Sequence, residues 1–291
     1  MTAELYHKVD CKLGEGAIWN YRTQELYWVD ILGKSIHIMD IPRKSVKLIR
    51  TPSLIGAIIP TQKKGTAVVG LHDGVYLVNL VGEEFSKLTS LDLKTPQVRL
   101  NDGKCDTMGR LWIGSMDIKE YRKKGKLYMV NANGEFESRL NDVTISNGLV
   151  WSLDNKTLYY IDTPTQKVVG FDFDCISGRI SNGRTVIEIP KSMGFPDGMT
   201  IDEEGKLWIA LWNGGAVARY DPSSGLLIET IAVPAKNITS CTFGGSNLDL
   251  LFITTARTGE EKVDKLKHPY AGSVFMVKPG IKGIRCNLFK W

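Results

Sequence analysis

Short runs of Val, Ile, Leu, Tyr and Trp recur along the whole chain, each closed by a cluster of Gly, Asp, Asn or Pro, and almost none has the period of an amphipathic helix. That is strand and turn chemistry, and it predicts an all-β protein. The runs come in pairs: 26–30 with 35–40, 66–70 with 74–79, 110–115 with 126–131, 157–162 with 167–172, 206–211 with 216–221, and 250–254 with 272–277. Six units of one pattern, about 40 to 50 residues apart with several strands in each, predict a six-bladed β-propeller. Such a ring must close. The opening residues 4–8 and the strand-like tail 283–289 are the ends expected to share a blade, so that N- and C-terminal strands close the ring and hide its sheet edges. No linker or shift in composition divides the chain, so residues 1–291 are expected to form one propeller domain. The longest interruptions, 117–125 and 257–271, fall between two strands of a blade and are expected as long loops on one face of the disc.

Aligning the six units on their apolar second strand and stepping back one strand and one turn lands on polar residues in four of them. These are Glu15 between Gly14 and Gly16, Asn101-Asp102-Gly103, Asn147-Gly148, and Asp197-Gly198; the other two units give Gly56 and Thr239-Ser240. Any one Asn-Gly or Asp-Gly is an ordinary turn. Four at the same phase mean more, because the innermost strands of a propeller line its channel and equivalent positions face one another. Glu15, Asn101, Asn147 and Asp197 are thus expected to form a ring of oxygen atoms at one mouth, where two carboxylates need a cation or remain unbalanced. An all-oxygen set suits Ca2+, Mg2+ or Mn2+ better than structural zinc, and a three-ligand protein shell leaves room for water and substrate. Arg99 stands two residues before Asn101, so both side chains leave one face of a strand. The guanidinium would there grip hydroxyls or a developing oxyanion, or pair with a neighbouring blade; Asp102, one step out of phase, would be a supporting base or a turn residue.

Composition narrows the classes of partner. The net charge is +5, but the lysines are scattered. The densest basic cluster, 121–126, lacks the interleaved aromatics of a single-strand-binding surface, so no nucleic acid partner is expected. No apolar run reaches the roughly 20 residues of a membrane span. The first ten residues do not read as a secretory leader, so a cytoplasmic location is expected. Five widely spaced cysteines without a CxxC pair argue against a disulfide framework and a zinc knuckle. The histidines His7, His37, His72 and His268 fall outside the ring positions and are expected on the surface or in the core.

With these elements in order, the chain resembles the SMP-30/gluconolactonase/regucalcin family. The resemblance rests on Gly14-Glu15-Gly16-Ala17-Ile18-Trp19, residues 26–30, Arg99-Leu100-Asn101-Asp102-Gly103-Lys104, Ser146-Asn147-Gly148, Pro196-Asp197-Gly198, and Cys241-Thr242-Phe243-Gly244-Gly245. It spans almost the whole chain. It implies one divalent ion held by Glu15, Asn147 and Asp197, with Ca2+ first and Zn2+, Mn2+, Mg2+ or Fe2+ as alternatives. It implies that Arg99 and Asn101 contact the substrate. Mammalian members carry a glutamate in the loop beyond Met116 where this chain has Lys119, with Asp117 and Glu120 nearby, so Lys119 becomes a candidate substrate contact.

The expected activity is metal-dependent hydrolysis of a sugar lactone to the aldonic acid. The cation polarises the carbonyl and activates a water, Asp197 or Asp102 takes the proton, and Arg99 and Asn101 orient the sugar. The expected partner is a small molecule, with the protein a monomer or weak homo-oligomer. The alternatives are a non-catalytic calcium-binding or scaffold propeller, or a hydrolase of another ester or a phosphotriester.

Overall fold

The computed structural model of the chain describes residues 1–93, 95–120, 123–259 and 266–291. Part of the basic cluster (121 and 122) and part of the second long loop (260–265) lie outside the described residues.

The first strand, β1 (Glu4–His7), is set aside until the end of the chain. Then come six antiparallel sheets. Blade 1 holds β2 (Gly14–Asn20), β3 (Glu25–Asp30), β4 (Ser35–Asp40) and β5 (Ser45–Arg50). Blade 2 holds β6 (Ile55–Pro60), β7 (Thr66–Leu71), β8 (Gly74–Asn79) and β9 (Glu84–Thr89). Blade 3 holds β10 (Val98–Cys105), β11 (Leu111–Asp117), β12 (Gly125–Val130) and β13 (Phe136–Val143). Blade 4 holds β14 (Ser146–Trp151), β15 (Thr157–Asp162), β16 (Lys167–Asp174) and β17 (Arg179–Glu188). Blade 5 holds β18 (Phe195–Ile201), β19 (Leu207–Trp212), β20 (Ala216–Tyr220) and β21 (Leu227–Ala232). In blade 6, β22 (Asn237–Gly244), β23 (Leu250–Ala256) and β24 (Val274–Val277) are completed by β1, which pairs with β24.

The first strands touch in sequence around the axis, β2 to β6 to β10 to β14 to β18 to β22 and back to β2, which makes the six sheets a closed ring. Burial follows from that position. Inner and second strands lie between two neighbouring blades, so β11 and β14 are buried at every residue, whereas the outermost strands β5, β9 and β21 are largely exposed. The turn between first and second strands is repeated in blades 3 and 5. Asp106 caps its own turn by accepting the N–H groups of Met108 and Arg110, and its other oxygen accepts the Trp112 indole N–H at 2.9 Å. Asp202 does the same with Glu204, Lys206 and Trp208. Each fully buried carboxylate also holds an arginine, Arg110 or Arg219.

Closure joins the chain's first and last strands, as expected, but the tail 283–289 is not one of them. With β1 already in the fourth place of blade 6, the tail runs across the face of the disc opposite the polar ring. Gly283 bonds to Leu248 O in blade 6 and bridges to Asp202 in blade 5. Cys286 Sγ donates to Trp19 O in blade 1, and Asn287 Nδ2 to Cys105 O in blade 3. Phe289 ends fully buried beside blade 2, its N–H on Pro60 O at 3.0 Å. One strap thus ties five blades together. All five cysteines are free thiols.

Candidate functional site

All six inner strands carry a register irregularity at the aligned position. The pairing slips between Glu15 and Ile18, Ile55 and Ala57, Leu100 and Gly103, Ser146 and Leu149, Pro196 and Met199, and Ile238 and Ser240. A bulge leaves residues unpaired and re-aims their side chains, which is how a strand otherwise buried between blades delivers a polar group to the channel. The glycines there serve the ring itself: a Cβ on Gly148 would lie 2.6 Å from Asp197 O, and one on Gly56 2.5 Å from Asn101 O. They let neighbouring inner strands close up.

Glu15, Arg99, Asn101, Asn147 and Asp197 line the floor of one cavity of about 610 Å3 at this mouth. Each is nearly inaccessible, between 4% and 8% exposed, so their polar groups must be satisfied by one another or by something bound. A directed chain of hydrogen bonds runs through three blades. Arg99 Nη1 donates to Asn101 Oδ1 at 2.7 Å, and Asn101 Nδ2 donates to Asn147 Oδ1 at 3.0 Å and to Ser146 O at 2.7 Å. Asn147 Nδ2 donates to Thr163 Oγ1 at 2.8 Å, and Thr163 Oγ1 donates to Pro196 O at 2.8 Å. The chain begins on a guanidinium, which can only donate, and ends on a carbonyl, which can only accept. Both amide orientations are therefore fixed. Asn147 presents its oxygen to the cavity with one lone pair still to spare, and Thr163, in the short turn just after β15, sets that orientation. Sequence reasoning passed over Thr163 because it lies outside the repeat phase.

Facing this chain, the buried Glu15 and Asp197 carboxyl groups lie close enough to raise or lower each other's protonation, and two carboxylates so placed call for a shared proton or a cation. Burial first, and then the neighbouring carboxylates, push both well above the usual carboxylate range. Glu15 Oε2 accepts the Gly16 N–H, while Asp197 Oδ1 is buried with no partner. Among the described residues no three His, Cys, Asp or Glu side chains form a metal-binding group. The set that does converge is two carboxylates and an oriented amide oxygen, with one carboxylate oxygen unpartnered, and this donor chemistry fits a hard divalent cation.

The remaining candidates divide. Arg99 bonds within its own strand, to Asn101 and Leu100 O, and feels the charges of Glu15, Glu120 and Asp197. Asp102 shares the bulge with Asn101 but lies below the floor: Oδ1 accepts the Gly103 N–H at 2.7 Å, and Oδ2 is buried without a partner. Its charge raises Glu15 and Asp197, and Lys104 offsets it from a second, smaller cavity of about 250 Å3 under the C-terminal tail. Lys119 is exposed. Its loop reaches the cavity through Ile118 and Glu120 instead, and the other long loop reaches it through Thr258 and Gly259, so these described parts of both loops lie on the ring's face. His37 is a core residue, stacked on Trp28 with centroids 4.9 Å apart, and burial lowers its pKa to about 4.

A closed propeller with a cation-ready polar floor under an open cavity is the frame of a small-molecule site. Residues 13–257 match the SMP-30/gluconolactonase/LRE-like region, and the chain belongs to that family. An uncharacterised protein of Sulfolobus acidocaldarius is 43% identical over 94% of both chains. A putative sugar lactone lactonase of Bacillus subtilis is 38% identical over 94% of both. The crystal structure of a calcium-binding protein, regucalcin, from Agrobacterium tumefaciens superposes with a TM-score of 0.93 at 26% identity, covering 99% of this chain and 98% of that one.

Proposed function

We propose that this protein is a metal-dependent lactonase that opens a sugar lactone to its aldonic acid. The observation that carries the proposal is the pairing of Glu15 and Asp197 opposite an Asn147 oxygen held in place from both sides. When bound there, a divalent cation, Ca2+ first, supplies Lewis-acid polarisation of the ester carbonyl and acidifies a water. The chain's own residues do the rest. Arg99 lines the floor and offers charged donors to the substrate's carbonyl or ring oxygens, while Asn101 holds Arg99 and Asn147 in register. Asp197 faces the cavity and takes the proton from the attacking water; Asp102, below the floor, acts through its field on Asp197. Lys119 contributes no contact in this scheme, and Glu120 takes its place at the rim.

A non-catalytic calcium-binding propeller is the competing reading, supported by the description of the Agrobacterium relative. The open cavity of about 610 Å3 above the floor favours turnover, because a purely structural ion is enclosed by its ligands. The test is a pH-indicator screen of aldonolactones with metal-stripped protein, restoring one divalent ion at a time. Lactonase activity that needs the ion and is lost in Asp197→Ala is expected. Full activity in metal-free Asp197→Ala protein would overturn the proposal, and ion binding without hydrolysis would favour the calcium-binding reading.

A further inference from the structure

The cavity above the polar floor is built from two kinds of surface. Below are the carboxylates, amides and guanidinium already described. Above them the wall and rim are formed by Leu32, Leu54, Met116, Ile118, Phe195 and Trp212, which come from four different blades. Thr163 also faces the cavity, but its hydroxyl is committed to Asn147 and Pro196. Glu120 and Thr258 are the other polar side chains at that level. Large apolar residues are left partly open to solvent around this mouth: Leu32 is 40% exposed, Ile118 44% and Phe195 39%. A concentrated apolar rim on a soluble surface marks a place that something apolar covers.

A sugar lactone is a poor match for that wall. Every hydroxyl carried into the cavity exchanges water for a partner, and a hydroxyl buried against carbon is unfavourable. The wall offers two polar side chains, both at the rim. The volume, about 610 Å3, falls within the roughly 300–1,000 Å3 of sites that hold drug-sized ligands. It leaves space beyond a single small ring seated on the floor.

Resting on the lactonase reading, we infer that the substrate range extends to lactones bearing an apolar alkyl or aryl substituent, with the ester on the polar floor and the substituent against Leu32, Ile118, Phe195 and Trp212. The reaction is the same hydrolysis. The oxygen of water bonds to the carbonyl carbon, the ring C–O bond breaks, the ring oxygen takes up a proton, and a hydroxy acid leaves as its carboxylate with release of one proton. No further reactant is needed. What the wall adds is binding energy for the substituent. Burying a methylene against carbon corresponds to roughly a fourfold gain in kcat/KM for each one added, until the wall is filled.

The experiment uses the full-length protein with the divalent ion that best supports activity. Initial rates are measured by pH indicator on glucono-δ-lactone and on δ-lactones whose side chain grows from methyl to heptyl. The expected result is a kcat/KM that climbs by about fourfold per methylene over the first part of the series. In the double variant Leu32→Ser, Phe195→Ser, the ratio between long-chain and methyl substrates should collapse toward one. Circular dichroism and ion-binding titrations on the same sample show whether the variant is folded, and Ile118→Ser provides a second, milder test of the same ratio. Hydrolysis of glucono-δ-lactone with no response to chain length would overturn this inference and leave the lactonase reading intact. A chain-length response that neither variant changes would also overturn it, because the gain would then come from elsewhere. No hydrolysis of either class would remove both readings together.

Discussion

Replacing Thr163 by valine tests whether the hydrogen-bond chain prepares the site for a cation. Valine keeps the shape but removes the acceptor for Asn147 Nδ2 and the donor to Pro196 O, each a 2.8 Å bond in a buried setting. A buried polar group left without a partner costs about 1–3 kcal/mol, so the two orphaned groups together lower stability by about 2–6 kcal/mol. At about 2 °C per kcal/mol for a domain of this size, the midpoint of thermal unfolding should fall by roughly 4–12 °C. The more telling effect is on the ion. With nothing to hold its N–H2 group, the Asn147 amide can rotate and withdraw its oxygen from the floor. Loss of a partner that orients a metal ligand weakens binding by about 10- to 100-fold. Calorimetric titration of metal-free protein with Ca2+, beside a melting curve, reads both quantities. Thr163→Ser keeps both bonds and should restore affinity. A Thr163→Val protein that melts early yet binds the ion within twofold of wild type would refute the reasoning, because Thr163 would then be holding the fold and not the ligand.

Three further outcomes follow from the same structure. Asp197→Asn should abolish ion binding and turnover, because the amide removes one of the two carboxylates that would hold the cation; Ca2+ titration of the metal-free variant with wild-type affinity would show that Asp197 is not a ligand. His37, lowered to about 4 by burial, stays neutral in the folded protein while the unfolded chain protonates near 6.5, so stability present above pH 6.5 is lost as pH falls toward 4. That window is worth about 3 kcal/mol, and His37→Gln should flatten it in melting curves taken from pH 7 to 4. Phe289→Ala, which empties a fully buried site at the end of the strap, should cost about 3–5 kcal/mol in denaturant unfolding without changing ion affinity, since the strap lies on the face away from the ring.

The architecture was legible because it is periodic. Each blade repeats an apolar second strand such as β11 or β19; in blades 3 and 5 the turn before it repeats as well, a buried Asp106 or Asp202 capping the turn and holding the indole of Trp112 or Trp208. The ring was legible for the same reason: Glu15, Asn101, Asn147 and Asp197 share a phase, and the bulge that turns them inward recurs at that phase in all six inner strands. What escaped is aperiodic. Thr163 belongs to the short turn after β15, where no other blade supplies an equivalent signal. In the loop after β11 the family resemblance pointed to Lys119, but an irregular loop has no alternation to say which side chain turns inward, and Ile118 and Glu120 do so. The tail has strand-like composition, yet its fate depended on β1 having already taken the open edge of blade 6.

The charges below the cavity explain why these particular residues belong together. Glu15, Asp102 and Asp197 bring three acidic groups into a space with Arg99 and Lys104 as the nearby cations, one unit short of balance. Without a bound cation, the pair Glu15 and Asp197 can make up the difference by sharing a proton, which is what their raised pKa values express. On the proposed function, a divalent cation held by Glu15, Asn147 and Asp197 would take the place of that proton and carry the floor one unit past neutrality, a field that would favour negative charge developing on an ester oxygen. Asp102 and Lys104 line no part of the cavity that would hold the substrate, so their contribution is to set this balance from beneath. In the proposed reaction the same field would hold the carboxylate product, so its release would work against the charge of the floor.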